Sequence, residues 1–206
     1  MKPEAPASPQ DDSLGSKSAT PITFYYTFVV FPAGEYTIGS PDDLKRSNGG
    51  VLHRGRLTRP FAILNREVTF AELIAFNPER YNNLMKQMPL LGVPQSTGAA
   101  VSWYDAVRFS RWLSVQYGLS ESEQAYADPA SPMSGARDPN RAAEGAPQNW
   151  PLDVSRRGFR LPSEAEWEIS SRGGVRCSYS FGSDESLLNG YGWFQENSGG
   201  RVHLPM

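Results

Sequence analysis

Two histidines, one cysteine and a pair of glutamates one helical turn apart are the residues of this 206-residue sequence that could carry chemistry. His53 and His203 have no His, Cys, Asp or Glu at metal-motif spacing, so both are expected in loops or turns. Glu164 and Glu168 could form a carboxylate pair on one helix face. Structural roles suit them better: Glu164 and Glu166 lie where a helix start favours negative charge, and Glu168 can pair with Arg172 four residues on. Cys177 is the single cysteine, which rules out an intrachain disulfide, a cysteine zinc site and a two-thiol redox motif. In VRCSYSF it has no neighbouring base or helix N-terminus to activate it, so it is expected to be a packed or idle thiol. Gly34 and Gly39 have phosphate-loop spacing, but Ser40-Pro41 replaces the Lys-Ser/Thr step and the run is expected to be a turn between strands.

Two arginine groups, Arg54, Arg56 and Arg59, and Arg156, Arg157 and Arg160, could clamp an acidic ligand. Acidic side chains are as numerous, so a solvated or salt-bridged face is the expectation for both. Trp103, Trp112, Trp167 and Trp193 could line a groove, but tryptophans at helical spacing more often fill a core.

These residues need elements to hold them. TFYYTFVVF is dense in the β-branched and aromatic side chains of a strand, EYTIGS continues as a second, and RGRLTRPFAILNREVT holds two more, the first ended or pushed to an edge by Pro60. Three helix starts carry capping-box spacing: Thr69 with Glu72, Ser102 with Asp105, and Ser163 with Glu166. The first helix should stop at Pro78, the third at Gly173-Gly174. The second, WYDAVRFSRWLSVQYG, places Ala106, Phe109, Ser110, Leu113 and Tyr117 on one face. The expected core is therefore Trp103, Ala106, Phe109, Leu113 and Trp167, with strands at residues 28–31 and 61–64 near it. Residues 120–155 show no period and read as a long irregular loop.

Composition narrows the classes. Hydrophobic residues are 39% and charged residues 20%, ordinary for a soluble globular domain, while 17 Pro and 19 Gly imply many turns. A net charge of −2 provides no field to hold a polyanion, so nucleic acid is not expected as a partner. Residues 1–21 are rich in Pro, Ser and Asp and nearly devoid of large apolar side chains, which suggests a flexible tail or linker before a domain over residues 22–206. The N-terminus lacks a signal-peptide apolar region, and no stretch would span a bilayer, so a cytoplasmic chain without a membrane is expected.

Four segments occur in an order that carries a resemblance: FVVFPAGEYTIGS, REVTFAEL, AAVSWYDAVRFSRWL and RLPSEAEWEISSRGG. Together they resemble the formylglycine-generating-enzyme, or sulfatase-modifying-factor, domain family. The resemblance implies an α+β, loop-rich fold related to C-type lectins, with short antiparallel strands and about three short helices. It also implies that RLPSEAEWE mainly holds the scaffold. Catalytic members oxidise a sulfatase cysteine with oxygen and a copper(I) ion held by two cysteines, in a segment expected beyond the part matched here. Copper and calcium follow from the resemblance alone, and no catalytic, cofactor-binding or metal residue is assigned in this chain. Ser110 and Ser171 stand where many members have cysteine. The expectation is a non-catalytic binding or interaction module, C-terminally incomplete, with a protein or peptide ligand such as a sulfatase or a complementing chain. The alternative is one part of a formylglycine-generating oxidase whose catalytic segment is supplied elsewhere.

Overall fold

A computed structural model of the protein describes residues 24–39, 51–127, 150–175, 177 and 179–205. The tail expected over residues 1–21 and the middle of the long loop lie outside the described residues. β1 (Phe28–Phe31) pairs antiparallel with β4 (Phe61–Leu64), and β2 (Gly34–Ile38) pairs antiparallel with β3 (His53–Leu57). β1, β2 and β4 form where β-branched and aromatic residues occur, whereas β3, HRGRL, has neither and is held by its pairing with β2. The two pairs are nested. Between them, Pro32 and Ala33 on one side oppose Thr58, Arg59 and Pro60 on the other, the unequal count of a bulge. Both prolines sit at this break, where a missing N–H costs the ladder nothing. Phe31 and Phe61 face each other beside it with rings stacked at 5.1 Å. The Gly34 to Gly39 run, expected as a turn, is mostly strand; only Gly39, at φ 97°, has the left-handed backbone of an exit turn.

All three capping boxes form. They open α1 (Phe70–Phe76), α3 (Trp103–Gln116) and α4 (Glu164–Arg172), and Gly173 closes α4 in the left-handed conformation at φ 60°. One further helix, α2 (Pro78–Gln87), follows α1 directly. Pro78 was expected only to stop α1. It does so, yet it also occupies the first turn of α2, where its preset φ and missing N–H fit a helix start. Asn77 serves both helices, donating its N–H to Leu73 O and accepting from Arg80 N at 3.2 Å. The described residues are thus α+β and loop-rich, with short antiparallel strands, as the sequence implied. No helix among them is long and apolar enough to cross a membrane.

The core lies among α1, α2, α3 and the 3-10 turn Pro89–Leu91, built from Phe70, Leu73, Tyr81, Leu91, Phe109 and Leu113. Phe109 and Leu113 were expected there. Trp103 and Trp167 were expected too, but they are 42% and 60% exposed, and Ala106 is only half-buried. The inward face of α3 is rotated from the expected stripe: Val107 and Ser114 are buried and Tyr117 is half exposed. Serine explains the shift. Ser110 and Ser114 return their hydroxyls to the carbonyls four residues back, at 2.9 Å each, and so bury without an orphaned donor. The Ser114 hydroxyl also accepts the Phe159 N–H at 2.8 Å, which brings the segment leading into α4 against α3. Gly158 permits the same segment to lie close against residues 123–125, since a Cβ there would come within 2.5 Å of Ala125 N.

These burials separate two aromatic truncations. Phe109→Ala should cost about 3–5 kcal/mol, whereas Trp167→Ala should stay within about 0.5 kcal/mol. Urea denaturation of the two variants checks it, and equal losses would contradict this placement of the core.

Candidate functional site

A cavity of about 560 Å³ opens where the β3–β4 bulge, the start of α3 and the entry to α4 meet. The bulge supplies one wall, with Arg56, Leu57, Thr58 and Arg59. An irregular ladder supplies the second: Tyr126 bridges Leu152, Ala127 N donates to Pro151 O at 3.1 Å, and Asp153 N donates to Ala125 O at 2.8 Å. That ladder sets Trp150, Leu152 and Val154 along the cavity. The third wall is the segment from Arg160 to Ser163, with Glu166 one turn into α4. Trp103, at the first turn of α3, faces the same space.

Each wall is fixed by hydrogen bonds that leave part of its chemistry free. The Arg59 guanidinium donates to Val154 O at 2.6 Å, tying the bulge to the second wall. Trp150 donates its indole N–H to Ala127 O at 2.9 Å and carries the Arg108 guanidinium 5.9 Å above its ring. Trp103 and Trp150 lie 6.4 Å apart, centroid to centroid. The Tyr126 hydroxyl accepts the Leu161 N–H at 3.2 Å, and burial pushes its pKa up.

The charges divide unevenly. Arg160 grips Glu166 through two bonds of 2.7 and 2.6 Å, and Glu166 also accepts the Ser163 N–H at 2.8 Å. The Arg160 bonds, assisted by Ser163, hold the Glu166 carboxyl below its ordinary value despite burial. The same arrangement occurs at Glu72: burial pushes it up, but the Arg66 guanidinium and the Thr69 N–H and hydroxyl outweigh that, leaving it lowered. Arg56 and Arg59 have no carboxylate partner among the described residues. Glu35 stands opposite Arg56 in the ladder, but its carboxylate is engaged by Arg54 at 3.3 Å.

The expectation of solvated or salt-bridged arginines therefore holds: Arg54, Arg156 with Asp153, Arg157 with Glu123 and Arg160 are salt-bridged, and Arg56 and Arg59 are exposed without a carboxylate partner among the described residues. The tryptophans depart from their expected core role: Trp112 packs against the core, while Trp103, Trp167 and Trp193 are exposed. Glu168 pairs with Arg172 at 2.9 Å as foreseen, and together they hold Gly39 of the β2 exit by its N–H and carbonyl. His53 opens β3 instead of lying in a loop, and His203 stacks on Trp193 at 3.8 Å. Trp150, Tyr126 and Leu152 were missed, because an aperiodic loop gives no signal of which residues its ends bring together.

The fold and this cavity define a loop-rich α+β domain with an aromatic, cation-bearing groove. The chain belongs to the sulfatase-modifying factor enzyme 1-like domain family, which matches residues 17–201. Among solved structures it is similar to PvdO from Pseudomonas aeruginosa, at 27% identity over 50% of this chain and 47% of that one, with a TM-score of 0.34. The chain thus spans about half the length of that protein. No curated protein matches it. The copper site of catalytic relatives does not fit the residues present: it needs two thiolates, and Cys177 is the single cysteine. Among the described residues, no three His, Cys, Asp or Glu side chains are grouped to hold a metal such as calcium.

The lowered carboxylates give stability a pH dependence of definite sign. Glu72 and Glu166 have folded values below the ordinary 4.5, so their contribution is complete above that value and is lost as pH falls through the lower folded value. The urea midpoint should begin to drop as pH falls below about 5, and Glu166→Gln should start lower and fall less steeply. Parallel profiles for the variant and the parent would refute the assignment.

Proposed function

We propose that this chain is a non-catalytic binding module of the sulfatase-modifying-factor type, whose groove receives an extended peptide segment of a protein partner. The observation that carries this reading is the pairing of an exposed Trp103 face with apolar walls from Leu57, Leu152 and Val154 in one open cavity. Its volume, about 560 Å³, is that of a ligand site, and mixed aromatic and arginine linings dominate the energetics of protein interfaces. The groove's ionisable groups are set for binding: Glu166 is lowered and paired, and Tyr126 is raised, so neither stands near neutrality as a general acid or base would. Sulfatases are one class of partner consistent with the family.

Binding of fluorescein-labelled, end-capped hexapeptide pools, read by anisotropy, tests this. The full chain should bind at least one pool saturably, and Trp103→Ala should weaken that binding about tenfold or more. If every pool binds no better than to an unrelated protein, the reading is wrong.

Family membership favours a second reading, in which the chain is part of a formylglycine-generating oxidase. Incubated with copper, oxygen, a thiol reductant and a peptide bearing the sulfatase cysteine motif, this chain should form no aldehyde, because one molecule offers only the Cys177 thiolate. Mass spectrometry decides it: aldehyde above a no-protein control, and abolished by Cys177→Ser, would replace the binding module with the enzyme.

A further inference from the structure

We infer that the groove selects peptides by an acidic side chain, with a carboxylate received by Arg56 and Arg59 between apolar neighbours. The inference rests on the peptide-groove reading above and adds the ligand's chemistry to it. Of the charged residues lining the cavity, Arg160 and Glu166 close on each other through two short bonds and present little net charge outward. Arg56 and Arg59 remain. Arg59 spends one N–H on Val154 O, which leaves four of the five guanidinium donors and fixes where they point. Arg56 has no hydrogen-bond or ion-pair partner among the described residues. Two guanidinium groups on one wall match the forked acceptor geometry of a carboxylate, and they repel a lysine or arginine placed between them.

The bulge is what brings the two together. In an uninterrupted strand pair, Arg56 and Arg59 are an odd number of residues apart and would project from opposite faces. The extra residue among Thr58, Arg59 and Pro60 breaks that alternation, and both side chains line one cavity. The surrounding surface of Leu57, Trp103, Leu152 and Val154 calls for apolar residues on either side of the acid. Since the whole chain carries a net charge of −2, the attraction belongs to this wall and not to the field of the molecule.

The test uses the full chain and end-capped hexapeptide pools whose flanking positions are apolar and whose central residue is Asp, Glu, Gln, Lys or phosphoserine. The Asp and Glu pools should bind about tenfold or more tightly than the Gln pool, with Lys weakest, and the difference should shrink as salt is raised. Arg56→Ala combined with Arg59→Ala should bring the Glu pool to the level of the Gln pool, while Trp103→Ala should weaken all pools alike. Arg59 ties the bulge to Val154 O, so the double variant is expected to lower the thermal melt; the single Arg56→Gln variant, at an exposed side chain, should keep the melt and still weaken the Glu pool toward the Gln pool. Equal binding of the Glu, Gln and Lys pools would overturn the acid preference and leave the peptide groove standing. Binding by the phosphoserine pool without the Asp and Glu pools would overturn the carboxylate. Failure of every pool would overturn the groove itself.

Discussion

A carboxylate buried three residues into a helix, held by an arginine from outside that helix, is the interaction on which this fold depends. It occurs three times. Glu72, Asp105 and Glu166 are 0%, 4% and 8% exposed, and Arg66, Arg80 and Arg160 pair with them at 2.8, 3.1 and 2.6 Å. Each carboxylate also accepts the N–H of its own capping residue, Thr69, Ser102 or Ser163. The helices run 7, 14 and 9 residues, lengths at which isolated helices are marginal at best, so their ends must be completed by the tertiary structure. A buried carboxylate alone would be strongly unfavourable. With a guanidinium and two or more donors around it, the ion becomes a joint that links helix start, preceding loop and neighbouring element in one geometry.

The third joint also shapes the groove. Because Arg160 is consumed by Glu166, the wall it forms is electrically quiet, and the charge of the cavity is left to the bulge. The bulge in turn exists because Pro32 and Pro60 cannot continue the ladder. The site therefore combines one wall built for rigidity with another whose arginines have donors to spare. Segments near α3 that lack a regular element of their own reach it through shared bonds: Arg111 donates to Tyr126 O and grips Glu121 at 2.7 Å, and Gly158 N donates to Glu123 O at 2.8 Å.

How much of this was legible follows from the range of each signal. Capping boxes are local, three residues from end to end, and Thr69, Ser102 and Ser163 announced their helices plainly. Strand composition and Pro60 are local too. The role of Pro78 was half read, because one proline can end a helix and begin another, and only Asn77 serving both explains which happened. Trp103 and Trp167 were misplaced because helical period shows which residues share a face but not which face is covered. The groove was the least legible feature: its walls come from residues about 100 positions apart, and the pairing of Arg54 with Glu35, which leaves Arg56 without a partner, depends on strand register.

That contrast bears on what family membership conveys. The segments that carry the resemblance are spent on the scaffold: RLPSEAEWE supplies the Arg160–Glu166 joint and the Ser163 cap, and VSWYDA supplies the Ser102–Asp105 cap. The free arginines and most of the apolar walls come from outside those segments, from the β3–β4 bulge and the Trp150 to Val154 stretch. Physical constraints explain the division, since a cap tolerates few residue types while a groove wall tolerates many. Trp103 belongs to both sets, opening α3 within VSWYDA and facing the cavity, as do Leu161 and Pro162 of RLPSEAEWE. A shared framework can thus carry different walls, and the binding module proposed for this chain rests on Arg56, Arg59 and Trp103, not on the motifs that make up the scaffold.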